Sequence, residues 1–506
     1  MQDTPSADQT GPIRSIAIIG GGTAGWISAA LLARALTGTG TAITLIESAE
    51  IGVIGVGEAT IPPFVDALRF LDIDLADFIR HTEATQKLAI RFDGWNGPGS
   101  SYWHPFGTLG AGIGRRPFHH ALLHAQASGM GGAVSDFNLC AALAERDLAL
   151  PPDQPPGGGA RIALHLDALL VSRYLAQYAQ NLGVARIEAT VAGAMRDDRG
   201  MIGAVVLADG RQVAADLFID ASGFAGVLIE RELGTGYIDW REHLPCDRAL
   251  AMPTARGASL PPYTLAAAMD AGWRWRIPLQ HRTGNGYVYA SEHLSDSAAA
   301  DELIAALGHP AGASARQLRF VPGRRRAAWV GNVVAVGLAS GFLEPLESTS
   351  IHCVIAGIFN LLDHFPDRAC DPALSASYNC ELAEELERIR DFLILHYALT
   401  TRADTPFWRA MAAAPLPDSL RDRIALYADA GTIRPQQREL FTEPSWFYVF
   451  AGMGLTPRRS DPLIAAIDPA TLHGLMRRIN RETMAGGAAA VPHDALYPRH
   501  TESLSA

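Results

Sequence analysis

The chain has 506 residues, of which 48% are hydrophobic and 19% are charged, an ordinary balance for a globular enzyme. This length exceeds what one hydrophobic core usually supports, so we expect two packed subdomains. The formal net charge of −11 argues against nucleic acid or an anionic membrane as the main partner, because both require a basic surface.

The cysteines and the N-terminus bear on the compartment. The five cysteines form no C-x-x-C pair, so neither a metal site nor a disulfide framework is indicated. Residues 1–14 are polar and lack the apolar core of a signal peptide. The apolar stretch at 16–36 is interrupted by glycines, which favours a strand, a turn and a helix over a membrane span. We therefore expect a cytoplasmic protein.

The first predicted elements form a nucleotide-binding unit. Residues 16–19 read as a buried strand, 26–36 as a helix, and 42–46 as a second strand. The turn between the first two has the G-x-G-x-x-G spacing that binds a dinucleotide pyrophosphate at a helix N-terminus. The residues assigned to this cofactor site are Gly20, Gly22, Thr23, Ala24, Gly25 and Glu47.

Each of these residues has an expected task. Gly20 allows the tight turn, Gly22 lets the backbone approach the pyrophosphate, and Gly25 lets the helix pack closely on the strand. Glu47 follows at the distance of about twenty residues at which a carboxylate holds ribose hydroxyls.

Further along the chain, the pattern predicts strands at 204–207 and 212–219 around an Asp-Gly hairpin turn, and another strand at 333–338. Residues 151–159 are rich in Pro and Gly and mark a loop or a subdomain joint. Residues 441–457 are aromatic and Gly-rich, with little helical period.

Four segments resemble motifs of the flavin-dependent tryptophan halogenase family. Residues 273–278 read Trp-Arg-Trp-Arg-Ile-Pro, which matches the family's W-x-W-x-I-P signature. The other three segments are 55–62, 87–92 and 342–351, in the family's order. The resemblance is strong up to about residue 400 and looser beyond it.

The resemblance implies an α/β fold: an FAD-binding Rossmann-type unit, like that of FAD monooxygenases, with a mainly helical substrate subdomain packed on it. We assign 12–100 and 160–375 to the FAD-binding subdomain, and 101–159 and 376–485 to the substrate subdomain. Residues 1–11 and 486–506 are expected to form flexible tails.

The resemblance also implies the activity. Such enzymes take FAD reduced by a separate flavin reductase, which we expect to deliver it by diffusion, and use oxygen with chloride or bromide to make hypohalous acid. The acid then halogenates a small, electron-rich, indole-like aromatic in a separate pocket. A homodimer is left open.

Lys87 and Glu347 match the family's catalytic pair. A lysine can polarise hypohalous acid through a cationic N–H, or capture the halogen as a haloamine. A glutamate can take the proton from the halogenated ring. The alternatives are a surface lysine and a carboxylate that caps a helix or forms a salt bridge, and Glu344 is the alternative carboxylate.

After Glu347 the apolar spacing predicts a helix whose first residues are N-cap types. The resemblance implies that backbone amides at Thr349 and Ser350 bind the halide, although the family often has Gly where this sequence has Ser350. It also assigns further flavin contacts, namely Val191, Asp220, Leu338 and Ile351.

The predicted substrate pocket rests on the resemblance as well. It consists of His104, Pro105, Phe106, His396 and Trp446, although a histidine such as His104 can also be an ordinary core residue. Tryptophan-specific members hold the amino acid with a tyrosine pair and a glutamate. Residues 444–457 contain neither, so we expect that free tryptophan is not the preferred substrate.

Two other functions stay open at this point. A single-component FAD aromatic monooxygenase would use the same fold but would not need Lys87. A non-catalytic flavoprotein would have no reason to keep Lys87 and Glu347 together. Trp273 and Trp275 either separate the substrate from the flavin or simply pack one face of a strand on the core.

Overall fold

The computed structural model describes residues 11–48, 57–153, 157–308 and 315–498. The helices of these ranges, in chain order, are α1 Thr23–Ala35, α2 Pro63–Phe70, α3 Leu75–Thr82, α4 Phe118–Ala127, α5 Leu139–Ala144, α6 Ala168–Asn181, α7 Asp296–Leu307, α8 Ser350–Asp363, α9 Pro372–Ala398, α10 Pro406–Ala413, α11 Asp418–Ala430, α12 Glu443–Gly452, α13 Pro462–Ala465 and α14 Pro469–Ala485.

The strands of the same ranges are β1 Ser15–Ile19, β2 Ala42–Glu47, β3 Gly57–Ala59, β4 Thr85–Lys87, β5 Ala89–Asp93, β6 Ser101–Pro105, β7 Leu148–Ala149, β8 Ala163–Asp167, β9 Ala185–Glu188, β10 Val191–Arg196, β11 Ile202–Leu207, β12 Gln212–Ala214, β13 Leu217–Asp220, β14 Tyr237–Asp239, β15 Arg248–Ala251, β16 Thr254–Ala255, β17 Tyr263–Met269, β18 Gly272–Pro278, β19 Arg282–Tyr289, β20 Arg316–Arg319, β21 Gly323–Arg325, β22 Trp329–Val330, β23 Val333–Ala335, β24 Gly341–Phe342 and β25 Val491–Pro492.

A six-stranded sheet forms the nucleotide-binding unit, in the order β22-β23-β13-β1-β2-β9. All neighbours are parallel except β22 and β23, which are antiparallel. The apolar residues of β1 are buried on both faces, as a parallel strand covered by helices requires. The predicted Rossmann-type unit with an α/β fold is confirmed.

A larger mixed sheet carries Trp273, Trp275 and His104. Its order is β20-β15-β19-β18-β17-β5-β6, with β16 beside β19. Because side chains alternate along a strand, Trp273 and Trp275 of β18 point to one face and Arg274 points to the other. A small sheet, β3-β8-β4, lies beside it and ends at Lys87.

Two predicted strands differ from the structure. The strand expected at 212–219 is divided into β12 and β13, which belong to different sheets, because the Asp216 carboxylate accepts hydrogen bonds from the backbone of Arg14 and Ser15. The strand expected at 333–338 ends at Ala335. Gly337 then turns the chain with a φ of 59°, which starts a short 3-10 turn.

The segment at 441–457 also differs from its prediction, because it contains helix α12. The residues from Trp446 to Phe450 are all buried, so the helix is covered on every side and shows no polar face. A helix buried all round has no amphipathic period for the sequence to display.

The predicted subdomain boundaries stay predictions, although two of them can be compared with the observed strands. The boundary after residue 100 falls between β5 and β6, which pair antiparallel in one sheet. The tail expected from 486 instead continues as β25, which pairs with β7. Its Tyr497 is buried, and the Tyr497 hydroxyl accepts a hydrogen bond from the Gln86 backbone amide. Residues 1–10 and 499–506 lie outside the described residues. Within the described ranges, no helix combines the length and apolar character that crossing a bilayer requires.

Candidate active site

A long cavity runs from the glycine turn after β1 to the start of α8. Its volume is about 1060 Å³, and its walls include Gly20, Gly22, Glu47 and Thr349. A cavity of this size suits a large cofactor. Of the predicted flavin contacts, the lining residues are Gly20, Gly22, Thr23, Ala24, Glu47, Val191, Leu338 and Ile351.

The glycine turn fits a dinucleotide at the atomic level. A Cβ atom added at Gly22 would meet nothing within 4 Å, so the backbone there is open to the cavity. The turn is followed at once by α1, whose first N–H groups favour an anion. These residues therefore fit the pyrophosphate of FAD.

Glu47 closes the turn from the side. A Cβ atom on Gly21 would lie 1.6 Å from Glu47 Oε2, so this glycine, the second of the turn, makes room for the carboxylate. The Arg186 guanidinium pairs with the other carboxylate oxygen. Sequence reasoning missed both Gly21 and Arg186, and Arg186 carries no local signal because it comes from β9, far along the chain.

Two predicted cofactor residues have other positions. Gly25 packs against β1, where a Cβ atom would lie 1.8 Å from the Gly20 carbonyl oxygen, as its predicted packing role requires. Asp220 is fully buried and does not line the cavity. Its carboxylate accepts from the amides of Ser222, Leu228 and Ile229, so it fixes the loop that follows β13, which itself borders the cavity.

The predicted halide position lies at the start of α8, in the wall of the same cavity. Thr349 is the N-cap residue of α8, and both it and Ser350 line the cavity. The Thr349 side chain makes no capping hydrogen bond, and neither backbone amide has a protein acceptor within the described ranges. These amides thus remain available to an anion, as does the positive end of the helix dipole.

Lys87 is buried beside Ser348, the residue that precedes Thr349. Its Nζ donates to the Ser348 hydroxyl at 2.8 Å and to the Thr60 carbonyl at 2.9 Å, and it lies 5.2 Å from the centre of the Phe106 ring. Burial lowers the pKa of Lys87 to about 7, although the negative charge of Glu347 opposes this. Both its ammonium and its amine form are therefore accessible near neutral pH.

Glu347 is fully buried between two histidines. Nδ1 of His104 donates to its Oε2 at 2.8 Å, and Nε2 of His396 lies 2.9 Å from its Oε1. Burial raises the pKa of Glu347, but the two histidines outweigh burial and lower it to about 2. The Tyr102 hydroxyl, 2.6 Å from Nδ1 of His396, completes this buried chain.

The predicted substrate residues surround this carboxylate without sharing one role. His104 and His396 both face Glu347, while Phe106 follows Pro105 at the end of β6 and lies over Lys87. Trp446 is buried further out, where its Nε1 donates to Glu439 at 2.9 Å. It stacks against the Arg423 guanidinium, 4.0 Å from the ring centre.

Aromatic side chains pack around His104 and form an aromatic wall. Phe441 stacks on Phe392 with 3.9 Å between ring centres, and its ring centre lies 6.0 Å from that of His104. Tyr448 of α12 lies equally close to His104. Sequence reasoning missed Phe441 and Phe392, because neither belongs to a motif. Phe392 belongs to α9, and Phe441 reaches the site by stacking on it.

Sequence reasoning also gave Ser348 only the role of an N-cap type. In the structure it has a φ of 60° and its hydroxyl faces Lys87, while the residue also lines the cavity. Its position between Glu347 and Thr349 was the signal that could have identified it. Of the motif at 55–62, residues 55 and 56 lie outside the described ranges, and Glu58 lines the cavity.

Comparisons with known proteins agree with this geometry. The family model for tryptophan halogenase matches residues 15–469. The chain is 36% identical to tryptophan 7-halogenase RebH of Lentzea aerocolonigenes, covering 91% of this chain and 93% of that protein.

Solved structures give the same result. Xcc4156, a flavin-dependent halogenase from Xanthomonas campestris, is 43% identical with a TM-score of 0.91, covering 96% of this chain and 97% of that one. BrvH, a flavin-dependent halogenase from Brevundimonas sp. BAL3, is 41% identical with a TM-score of 0.90, covering 96% and 99%.

The chain belongs to the tryptophan halogenase family. The predicted fold, the halogenase activity on an aromatic substrate and the dependence on FAD and halide are thereby confirmed. Membership in this family favours a halogenase over the single-component monooxygenase and the non-catalytic flavoprotein.

The two glycines of the turn provide a matched test of the flavin site. Gly22→Leu is expected to fold normally, since the backbone at Gly22 has an ordinary φ of −74° and open space beside it, but to weaken FAD binding by roughly tenfold or more. Gly25→Ala is expected to lower the free energy of unfolding by ~1–3 kcal/mol through overpacking. Thermal unfolding and a fluorescence titration with FAD measure the two effects. Unchanged FAD affinity in Gly22→Leu would place the pyrophosphate elsewhere.

Proposed function

We propose that this chain halogenates a neutral, indole-like aromatic at Lys87 and Glu347, which sit on the side of Ser348 away from the flavin cavity. The observation that carries this proposal is the position of Ser348. Ser348 lines the cavity, and its hydroxyl accepts a hydrogen bond from Lys87. The residue before it is the buried Glu347. The turn is therefore the shortest link between the flavin side and the substrate side.

The reduced cofactor would supply the two electrons with which oxygen oxidises halide to hypohalous acid, the second oxygen atom leaving as water. Gly22, Thr23 and Ala24 would hold its pyrophosphate, and Glu47 would hold its ribose. At the far end of the cavity, the amides of Thr349 and Ser350 would hold the halide. Trp273 and Trp275 line the cavity there and support the prediction that they separate flavin from substrate.

Lys87 would receive the hypohalous acid. As an ammonium it donates a hydrogen bond that polarises the oxygen–halogen bond. As an amine it forms a nitrogen–halogen bond, with its proton and the hydroxyl leaving as water. The pKa of about 7 supports either form, and burial beside Phe106 keeps competing water away.

Glu347 would act on the substrate ring. Its low pKa keeps it ionised at neutral pH, where it can take the proton that the ring loses when the carbon–halogen bond forms. His104 donates a hydrogen bond to one carboxylate oxygen, and Nε2 of His396 lies 2.9 Å from the other. We therefore interpret the two histidines as holding the base, with His104 also facing the substrate space beside Phe441.

The aromatic wall supports an uncharged substrate. A free amino acid needs a partner for its ammonium group, because burying that charge alone is costly. Two acids in the segment that forms the wall already have partners: Glu443 binds His119 at 2.9 Å, and Glu439 binds both Arg423 and Trp446. The lining that remains is aromatic, which suits indole or an aromatic group of a larger molecule.

The partners follow from the activity. A separate flavin reductase would supply reduced FAD by diffusion. We assign the chain to the cytoplasm because its five cysteines are all free, which is typical of a reducing compartment. A homodimer is left open.

Reconstitution tests the function. The protein, FAD, NADH, bromide and indole should give brominated indole when a generic flavin reductase is added, and no product without it. Glu347→Gln cannot accept the ring proton and should lose 10²–10⁴-fold in product formation, the usual contribution of a general base, ~3–5 kcal/mol. Its FAD affinity should match that of the wild type. Near-normal product from Glu347→Gln would remove the glutamate from this role.

Substrate preference is tested by comparing kcat/KM for indole and for L-tryptophan under identical conditions. We expect indole to be preferred, because Glu443 and Glu439 are already paired. Phe441→Ala should allow bulkier neutral aromatics to act as substrates, since it removes the ring stacked on Phe392. A clear preference for tryptophan in the wild type would contradict the proposal and require an ammonium-binding group elsewhere.

A further inference from the structure

The turn that carries Glu347 holds a second buried carboxyl group three residues earlier. Glu344 is fully buried, like Glu347. Its Oε2 accepts from the indole Nε1 of Trp273 at 2.8 Å and from the Tyr397 hydroxyl at 2.9 Å. Its Oε1 has no hydrogen-bond partner within the described part of the chain.

The two carboxyl groups are bound in parallel ways. Each has one polar group from the large sheet and one from α9 beside it: Trp273 and Tyr397 donate to Glu344, while His104 donates to Glu347 and Nε2 of His396 lies 2.9 Å from its Oε1. The donors differ in one respect, since an indole and a phenol cannot carry the positive charge that a histidine can carry.

We propose that Glu344 is a positioning residue, whose carboxyl group fixes the Trp273 indole in the wall of the flavin cavity and ties that wall to α9. Trp273 lines the cavity, and its neighbour Trp275 lies 6.2 Å away between ring centres. Fixing Trp273 keeps the wall closed between flavin and substrate, so that the oxidant leaves the cavity only toward Lys87. This proposal rests on the roles proposed above for Lys87 and the tryptophan wall.

The charge state of Glu344 agrees with this arrangement. Burial raises its pKa to about 7, and the donors Trp273 and Tyr397 offset burial only in part. The titratable groups that face it are the Tyr397 hydroxyl on α9 and the Cys246 thiol before β15, both without charge at neutral pH. Within the described ranges the groups that donate to Glu344 are both neutral, so the neutral form of Glu344 is the form that the interior favours.

The first test measures coupling, the halogenated product formed per reduced FAD consumed, together with the hydrogen peroxide released. Glu344→Ala should lower coupling several-fold and raise peroxide, while Glu344→Gln should restore coupling because its amide oxygen still accepts from Trp273. Trp273→Phe keeps an aromatic side chain, although a smaller one, and removes the indole N–H donor. The double variant with Glu344→Ala and Trp273→Phe should lose no more coupling than either single variant, since both changes break the same hydrogen bond. Additive losses, or no rescue by Gln, would overturn the proposal.

The second test needs no halogenation. A carboxyl group with a raised folded-state pKa binds its proton more tightly in the folded chain, so folding stability is present at low pH and is lost as pH rises through about 7. The unfolding temperature of wild type should therefore fall relative to Glu344→Gln between pH 5 and pH 8. A difference that does not change with pH would show that Glu344 does not hold a proton in the fold.

A control variant separates this effect from a general loss of a buried carboxyl. Glu302 of α7 accepts from the Tyr287 hydroxyl at 3.0 Å, on the same large sheet but away from the cavity. Glu302→Gln should leave coupling unchanged. If wild type itself makes no halogenated product, the proposed function fails, and the pH dependence of unfolding still decides the charge state of Glu344.

Discussion

The site depends on placing charged groups in an interior that penalises charge. Lys87 and Glu347 are both fully buried, and each would cost several kcal/mol alone. The fold compensates them differently. Lys87 receives neutral acceptors, the Ser348 hydroxyl and the Thr60 carbonyl, so its ammonium form is only partly favoured. Glu347 receives two histidines, so it stays ionised. A partly neutral Lys87 can bind a halogen, and an ionised Glu347 can accept a proton from the substrate ring.

The architecture around this turn separates two compartments. The β1–α1 turn and the start of α8 both line one cavity, and the 3-10 turn before α8 carries Glu344, Glu347 and Ser348. The large sheet contributes the tryptophans on the flavin side and His104 on the other side. Helix α9 supplies the matching groups, Tyr397 and His396. One turn, the large sheet, the small sheet that carries Lys87 and helix α9 thus hold the groups of the proposed reaction in place.

Much of this was predictable from the sequence because it is local. The glycine turn, the strand before it and the helix after it are set by spacing and by backbone requirements, and the helix after Glu347 by its apolar period. What the sequence could not predict depends on contacts between distant segments. Arg186 reaches Glu47 from another strand, Phe441 reaches His104 by stacking on α9, and Asp220 turns its carboxylate into its own loop. Helix α12 escaped prediction for a related reason, since burial on all sides removes the pattern that identifies a helix.

A single-turnover experiment on Lys87 tests the central claim most directly. Enzyme with pre-reduced FAD is mixed with oxygen, bromide and indole, and flavin oxidation, brominated indole and free oxidant caught by a scavenger are followed together. The account predicts that Lys87→Ala oxidises its flavin as the wild type does, yields almost no brominated indole and releases the oxidant to the scavenger. Brominated indole from Lys87→Ala in near wild-type amounts would contradict the claim that the lysine carries the halogen from the flavin side to the substrate.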